Sequence, residues 1–433
     1  LEHNPNIQRA NLSVNRFERQ LDAASADYRP LVTLSTSSQK ISRRQTQISE
    51  QIDGNSLGLT VQQPILDGAL LLEDDRISSL LDSERARRTS TIQSHRLELV
   101  RAYVELQAAI AEHTLIQEQA AFLENREALV RRLLDANRVT QLDILQLETE
   151  RSRLETKMAR IMVSVDTALE KLHNLAGGTI EEPLAPGRFR FDSNVWQFNS
   201  QTYEFRKQDI DKHPSVLVAL SRVSAAQISF DQTTRDRWPT VDATLQATRS
   251  NISADSSATP KTDSVTFRIT AQMTLFDSGR QSAKNAEASI ILEDAKMALE
   301  QTRHDIRERI VQSDASVENA RLKWNASNNE VQSTLKLAEL VDRRLLGGVG
   351  TVSDVLEVAD RLTNARIQRI NAWLEGLSGS AAALSDRGAL GREEVLELSA
   401  LIEVNFTNTR VPHKSTKLIK LTDATRQDAQ VLQ

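Results

Sequence analysis

The sequence predicts a mainly α-helical protein with some β-structure, in which duplicated coiled-coil rods of long helices join four amphipathic strands. Three observations lead to this fold class. Landmarks of the first half recur about 210 residues later, a period far longer than the roughly 20–50 residues of solenoid repeats. Each half contains two segments in which apolar and polar residues alternate, and each contains a long stretch without glycine or proline.

The recurring landmarks keep their order and spacing along the chain. Asp67-Gly68 in the first half corresponds to Asp277-Ser278 in the second, and both aspartates supply N-cap chemistry where strand gives way to helix. We therefore predict four segments, namely a first structural repeat over 1–176, a linker or equatorial segment over 177–209, a second repeat over 210–390, and an equatorial segment with a polar tail over 391–433.

Each repeat begins with a short helix and a strand hairpin. The short helices are predicted over about 6–27 and about 215–236, and the hairpins over about 30–66 and about 239–276. The clearest alternation runs from Val265 to Leu275. Because successive side chains point to opposite faces of a strand, this alternation gives the strand one apolar and one polar face.

Long helices follow each hairpin. The stretches 69–176 and 280–346 lack glycine and proline and are rich in Ala, Leu, Glu, Gln and Arg, which favour helices. A narrow coiled-coil seam is formed by apolar residues at alternating spacings of four and three, namely Leu99, Tyr103, Leu106 and Ile110. About 70 residues of uninterrupted helix would extend on the order of 100 Å. We therefore expect the rods to pack against one another or against other copies of the chain.

Composition and motifs argue against several classes of protein. The net charge is -5 with acids and bases interspersed, which does not favour nucleic acid as a partner. The seven histidines include no pair spaced as zinc ligands on a helix, and the sequence has no phosphate-binding glycine loop and no Gly-x-Ser-x-Gly. We predict a protein that is not an enzyme, with no catalytic residues, no cofactor and no metal site. No run of 18 apolar residues occurs, so no transmembrane helix is expected.

The strands suggest a membrane through their length and number. Strands of about ten to twelve residues can cross a bilayer when tilted by about 40°. An open sheet edge in lipid leaves backbone groups unpaired, at several kcal/mol each, and four strands are too few to close a barrel. Several chains would therefore pool their strands. The alternation also fits a soluble antiparallel sheet with one solvated face, so a soluble coiled-coil scaffold or stalk protein remains the alternative of another class.

The motifs taken together resemble the TolC-type outer membrane efflux protein family, over roughly residues 1–390. The motifs that carry the resemblance are the duplication, Arg29-Pro30 and Trp238-Pro239 before strands, Asp277-Ser278-Gly279 at the start of a long helix, and Asp354-Val355-Leu356 near the start of the last rod helix. The resemblance implies a homotrimer in outer membrane lipid. It would form a twelve-stranded β-barrel and a twelve-helix periplasmic tunnel, with the linker and tail as a belt.

The resemblance also implies a function and partners. It implies a passive exit duct that docks a periplasmic adaptor (membrane fusion) protein and an inner-membrane transporter, either an ABC or a proton-driven one. Most of the mass would lie in the periplasm. Within this class we favour type I protein secretion, and multidrug or small-molecule efflux is the alternative.

In this family, acidic residues near the start of the last helix line the constriction of the duct. Asp354 and Glu357 occupy the matching positions, and Asp143 is the corresponding acid of the first half. A ring of such acids would attract cations, and the acids would raise one another's pKa. The Tyr and Arg that the family links to these acids fall at Leu345 and Gly350, so that network is not reproduced.

Two alternatives stay open for these motifs. Thr140-x-x-Asp143 and Thr351-x-x-Asp354 both match a capping box, so the acids can also serve to begin a helix. The nearby helix breaks are candidates for adaptor docking, or simply solvated helix ends with cations at the C-terminus. The candidate docking residues are Gly347, Gly348, Gly350, Arg343, Arg344, Arg131 and Arg132.

Overall fold

The structure is a computed structural model that describes residues 4–45, 48–177, 188–189, 196, 207–254, 261–400 and 402–403. Most of the predicted linker and the tail beyond residue 403 lie outside the described residues. In the first half the elements are, in order, α1 (Pro5–Asp27), β1 (Leu31–Gln45), β2 (Ile48–Leu66), a short 3-10 helix (Leu70–Leu72), α2 (Glu73–Asp135) and α3 (Gln141–Ala176).

The order of a helix, two long strands and two long helices occurs again in the second half. The remaining elements are β3 (Arg188–Phe189), a 3-10 helix (Lys207–Lys212), α4 (Pro214–Arg235), β4 (Thr240–Ala254), β5 (Thr262–Gln272), α5 (Arg280–Leu346), α6 (Val352–Asp386), α7 (Arg392–Ala400) and β6 (Ile402–Glu403). The predicted fold class, mainly helical with four long strands, is confirmed. None of the described helices combines the length and apolarity needed to cross a membrane.

The four long strands form one antiparallel sheet in the order β1-β2-β4-β5. β2 and β4 are neighbours at the centre, so the hairpins of the two halves pair directly. The prediction of ten to twelve residues per strand was wrong for three of them, because β1, β2 and β4 have 15, 19 and 15 residues and only β5 has 11. Backbone pairing continues into polar sequence such as 36–40, since the hydrogen bonds of a ladder do not require apolar side chains.

The chain divides into two compact units, and each unit takes segments from both halves. One unit comprises residues 9–89 and 211–304 and contains the sheet. Its strand-to-helix turns confirm the predicted N-cap chemistry. The Asp67 carboxylate accepts hydrogen bonds from the N–H groups of Ala69 and Leu70, both at 3.0 Å. Asp277 likewise accepts from Gly279 and Gln281.

The other unit comprises residues 1–8, 90–210 and 305–433 and is built mainly from helices. Its main hydrophobic cluster combines buried residues of α2, α3, α5 and α6 and includes the predicted seam, in which Leu106 and Ile110 are buried and Leu99 and Tyr103 pack at the margin. A second cluster surrounds the buried Trp373 and joins α2 and α6 to α7. The helices of this unit thus pack by apolar seams, as rod-to-rod packing requires.

Candidate functional site

The break between α2 and α3 is a closed helix terminus. Asn137 adopts a left-handed backbone conformation with φ of 55°. Its N–H donates to the carbonyl of Leu134 at 2.9 Å, and the N–H of Arg138 donates to the carbonyl of Leu133 at 2.9 Å. This pair of bonds is the Schellman motif, which satisfies carbonyl groups that a helix end leaves unpaired.

The break between α5 and α6 has the same hydrogen-bond pattern. Gly348 has φ of 78°, and its N–H donates to the carbonyl of Leu345 at 3.1 Å. The N–H of Val349 donates to the carbonyl of Arg344 at 3.0 Å, and Gly350 donates to the same carbonyl at 3.0 Å. A Cβ on Gly350 would lie 2.9 Å from the backbone nitrogen of Leu345, so this turn leaves no room for a side chain there.

The predicted acids begin the next helices. The Asp354 carboxylate accepts the N–H of Thr351 at 3.1 Å, and the Asp354 N–H donates to the Thr351 hydroxyl oxygen at 3.1 Å. The Thr351 N–H and hydroxyl hold the pKa of Asp354 below its usual value, and the charge of Arg344 acts in the same direction. Asp143 accepts the N–H and the O–H of Thr140, both at 2.8 Å. Both predicted capping boxes are therefore present.

The structure brings the starts of α3 and α6 into one hydrophobic cluster. Ile144 directly follows Asp143, Val355 directly follows Asp354, and both are buried in that cluster. Glu357 lies one turn further along α6 and is exposed. No ion pair or hydrogen bond joins the three acids to one another in the described part of the chain. They share an end of the helix pair without forming a direct contact.

The candidate docking arginines differ in how firmly they are held. Arg131 pairs with Glu127 of its own helix at 2.6 Å and approaches Glu148 of α3 at 3.8 Å. The Arg132 guanidinium donates to the carbonyl of Ala128 at 3.2 Å. Arg131 and Arg132 are therefore both anchored to α2, although their side chains are exposed.

The two arginines of the second break are less constrained. Arg344 donates to the carbonyl of Val349 at 3.4 Å, across the turn. Arg343 is exposed, and the described residues give its side chain no ion-pair or hydrogen-bond partner. Val349 at the turn is 75% exposed. The second break thus has an exposed arginine without a partner among the described residues and, six residues further on, an exposed apolar side chain.

Sequence reasoning did not identify the ion pairs that join different helices, and two of them show why. Arg153 of α3 pairs with Asp360 of α6 at 2.6 Å. Arg126 of α2 pairs with Asp342 of α5. The partners are more than 200 residues apart in the chain, so no local spacing could have indicated them. Leu345, one of the two positions where the family's constriction network was sought, is instead buried in the hydrophobic cluster.

The sheet has an apolar face that is continuous across all four strands. Residues paired directly between strands lie on the same face, since the side-chain period of a strand is two. Two successive rows on this face are read here from β1 to β5. The first row consists of Val32, Val61, Leu245 and Phe267, and the second consists of Leu34, Leu59, Ala247 and Val265. The Val265 side chain is 75% exposed and that of Phe267 is 66% exposed. An exposed apolar surface of this kind marks an interaction with lipid or protein.

The opposite face is polar. The row between the two apolar rows consists of Thr33, Thr60, Gln246 and Thr266, and the next row beyond them consists of Ser35, Gly58, Thr248 and Ser264. The residues of these two rows carry hydroxyl or amide groups or are glycine, whereas the row on the other side consists of Leu31, Gln62, Thr244 and Arg268, and Asp242 also lies on this face. The sheet therefore separates an apolar side from a polar side that is mainly hydroxyl and amide, with charges at Arg268 and Asp242.

A model of the family described as outer membrane efflux protein matches residues 1–178 and 206–381. The chain belongs to the outer membrane efflux protein family. It is therefore an outer membrane efflux channel, and its family consists of channel proteins rather than enzymes. The family match covers both hairpins, three of the rod helices and most of α6, and it overturns the alternative of a soluble coiled-coil stalk.

Individual relatives of this efflux protein are distant in sequence. It is 22% identical to the proteases secretion protein PrtF of Dickeya chrysanthemi over 79% of this chain and 74% of PrtF. It is 23% identical to protein CyaE of Bordetella pertussis over 91% of this chain and 83% of CyaE. The crystal structure of the outer membrane protein VceC of Vibrio cholerae has the same fold, with a TM-score of 0.74 and 19% identity over 90% of this chain and 94% of VceC.

Proposed function

We propose that three copies of this chain form one outer membrane duct that serves as the passive exit of a type I protein secretion machine. The observation that carries the proposal is the open sheet with one exposed apolar face. In the described residues β1 and β5 each pair on one side only. An unpaired edge is excluded from lipid because its backbone groups would lack partners. Three sheets joined edge to edge give a barrel of twelve strands without such an edge.

The rod helices extend the duct into the periplasm. Each chain supplies α2, α3, α5 and α6, whose apolar residues form one shared cluster. Three chains then supply twelve helices around a common axis. Each half contributes one hairpin and one pair of rod helices, as expected for the duplicated repeats 1–176 and 210–390.

The constriction of the duct is assigned to the capped starts of the helices that follow the two breaks. Asp354 and Glu357 of α6 would line it, with Asp143 of α3 nearby. A threefold axis would multiply the charge into a ring, which attracts cations and repels anions. The capping hydrogen bonds fit this role, because they hold the Asp354 carboxylate ionised and fixed in direction.

Adaptor docking is assigned to the two breaks themselves. The left-handed residues Asn137 and Gly348 give both breaks the same backbone shape. The periplasmic adaptor would therefore meet six similar sites on one trimer, and Arg131, Arg132, Arg343 and Arg344 would supply positive charge around them. An inner-membrane ABC transporter completes the machine.

Protein secretion is favoured over drug efflux by two points. The curated relative PrtF is named for the secretion of proteases. The polar sheet face carries mainly hydroxyl and amide side chains and few charges, among them Arg268 and Asp242, which would let an unfolded polypeptide pass without tight binding. A proton-driven inner-membrane transporter and small-molecule cargo form the second candidate, which rests on the family's description as efflux proteins.

The test uses a strain in which the gene for this chain is deleted. Export of a secreted polypeptide and resistance to a panel of amphiphilic drugs are both measured, before and after the gene is restored on a plasmid. We expect restored polypeptide export with unchanged drug resistance. Restored drug resistance without any change in polypeptide export would contradict the secretion assignment and support the efflux candidate.

A further inference from the structure

A cavity of about 220 Å³ lies among α2, α5 and α6. Its walls are mainly apolar and include Leu115, Phe122, Val341, Val355, Val358 and Leu362. Val341, Val355 and Val358 are buried members of the hydrophobic cluster. One wall of the cavity is therefore formed by the hydrophobic cluster of the helices, and no loop residue lines it among those named.

One polar side chain lines this apolar space without a partner. Gln119 of α2 is 4% exposed. In the described part of the chain neither its amide nitrogen nor its amide oxygen forms a hydrogen bond. Gln107, about three turns earlier on the same helix, is fully buried and interacts with the Tyr103 side chain. A buried amide group whose donor and acceptor both lack partners lowers the stability of a fold. Its presence in this cavity therefore suggests that a bound molecule supplies the hydrogen bonds.

Charged residues also line the cavity, and none of them forms a hydrogen bond with Gln119. Glu118 approaches Arg366 at 3.6 Å, and Asp342 pairs with Arg126. Because these charges are already paired with each other, they offer little attraction to a charged ligand. The cavity therefore favours a neutral molecule.

We propose that this cavity is a binding site for a small, neutral, largely apolar molecule that carries one group able both to donate and to accept a hydrogen bond. A primary carboxamide on an aromatic or aliphatic ring has this chemistry, since it can pair with both atoms of the Gln119 amide. The volume suits such a molecule, because apolar cavities of about 150 Å³ in other proteins bind benzene. Water alone would find partners at Gln119 but only apolar groups on most of the remaining wall.

The site would couple a ligand to the helices around the constriction. Val355 and Val358 line the cavity and lie on α6 beside Asp354 and Glu357. A bound molecule would fill the space between α6 and the two helices opposite it, α2 and α5. This binding site does not depend on the nature of the exported cargo.

The test is a calorimetric titration of the full assembled protein in detergent with benzamide and, separately, with toluene. The matched variant is Gln119→Met, which keeps the length of the side chain and removes both hydrogen-bonding groups. We expect benzamide to bind the unmodified protein, and to bind the variant at least about tenfold more weakly, as the loss of two hydrogen bonds implies. Toluene should bind both proteins, and the variant at least as well. The same detergent is used for all samples, so partition of the probe into micelles affects the apparent affinities of both proteins equally.

A second variant and a second measurement complete the test. Ala359→Leu places a larger side chain in the cavity wall and should abolish the binding of both probes. If Gln119→Met does not assemble, the unmodified protein is labelled with photoactivated 4-azidobenzamide, and the labelled peptides should map to α2, α5 and α6. Absence of benzamide binding to the unmodified protein, equal affinity in the Gln119→Met variant, or labelling elsewhere would overturn the proposal.

Discussion

Arg153 and Asp360 form an ion pair that joins α3 to α6, with 2.6 Å between the guanidinium nitrogen and the carboxylate oxygen. Glu150, one turn before Arg153, holds the same guanidinium through three hydrogen bonds of 2.6 to 3.1 Å. Glu150 therefore holds the Arg153 guanidinium in the position in which it also pairs with Asp360. The pair connects the helices that begin at the two breaks, which is where a constriction would open or close.

We predict that Asp360→Asn raises the mean single-channel conductance in planar bilayers, because α6 loses its ionic connection to α3. Both side chains are partly exposed, so the free energy of unfolding should change by less than about 1 kcal/mol. Arg321→Gln is the matched control, since Arg321 pairs with Glu318 of its own helix. Equal conductance for Asp360→Asn and the unmodified protein would show that the pair does not restrain the duct.

Asp354 has two separable roles, in capping and in charge. In Asp354→Asn combined with Glu357→Gln, the amide oxygen at 354 can still accept the Thr351 N–H while the charge is lost. We expect a lower thermal stability at pH 7, because the depressed pKa of Asp354 means that its ionised form stabilises the folded state, and weaker block of conductance by divalent cations, measured by titration of Mg²⁺ in bilayers. Asp143→Asn serves as a comparison for the first half. Undiminished block in the double variant would remove these acids from the constriction.

The two breaks allow a test of backbone conformation. Gly348→Val places a β-branched side chain at φ of 78°. This change should lower the free energy of unfolding by about 1–2 kcal/mol. Asn137→Gly introduces the residue that the left-handed conformation prefers, and its effect should stay within about 0.5 kcal/mol. Thermal unfolding of both variants checks this difference. If Gly348→Val unfolds at the same temperature as Asn137→Gly, the left-handed conformation at the two breaks does not contribute to stability as proposed.

Asp386 near the end of α6 predicts a pH dependence of stability. Burial raises the pKa of its carboxyl above the ordinary value of 3.8, and Ser313 and the nearby arginines oppose that rise only in part. A raised pKa means that the folded state binds the proton more tightly than the unfolded state. The free energy of unfolding therefore falls as the pH rises from 3.8, the ordinary pKa, through the raised pKa of Asp386 in the folded state.

We accordingly expect Asp386→Asn to raise the unfolding temperature at pH 7 and to have little effect near pH 4. Unfolding scans of variant and unmodified protein between these pH values measure the difference. Asp314→Asn is the control, because Asp314 pairs with Arg387 at 2.7 Å and its loss should destabilise the protein at pH 7. A stabilisation by Asp386→Asn that is the same at both pH values would contradict the assignment.

Local chemistry made much of the fold predictable from sequence. Alternation from Val265 onwards indicated strands, Asp67 and Asp277 marked helix starts, and Thr351 with Asp354 formed the expected capping box. Each of these signals involves residues within a few positions of one another. The lengths of β1, β2 and β4 were underestimated because ladder hydrogen bonds extend beyond the apolar alternation that was used to find the strands.

Contacts between distant segments were not predictable in the same way. The pairing of Arg153 with Asp360 and the isolation of Gln119 both depend on how helices are placed side by side. Many arginines and glutamines on these rods have the same local surroundings in sequence, so nothing distinguishes those two before the helices are packed. The candidate constriction was proposed from a resemblance to a family, whereas the ion pair between α3 and α6 required the structure.

The most direct test of the account asks which face of the sheet meets lipid. The sequence contains no cysteine, so single cysteines can be introduced without background. Thr266→Cys and Thr60→Cys lie on the polar face, while Phe267→Cys and Val61→Cys lie on the apolar face. Intact outer membranes are treated with a charged, water-soluble maleimide, and detergent-denatured samples give full labelling. We predict rapid labelling at 266 and 60 and protection at 267 and 61. Equal labelling at all four positions would contradict a barrel whose apolar face lies in the membrane.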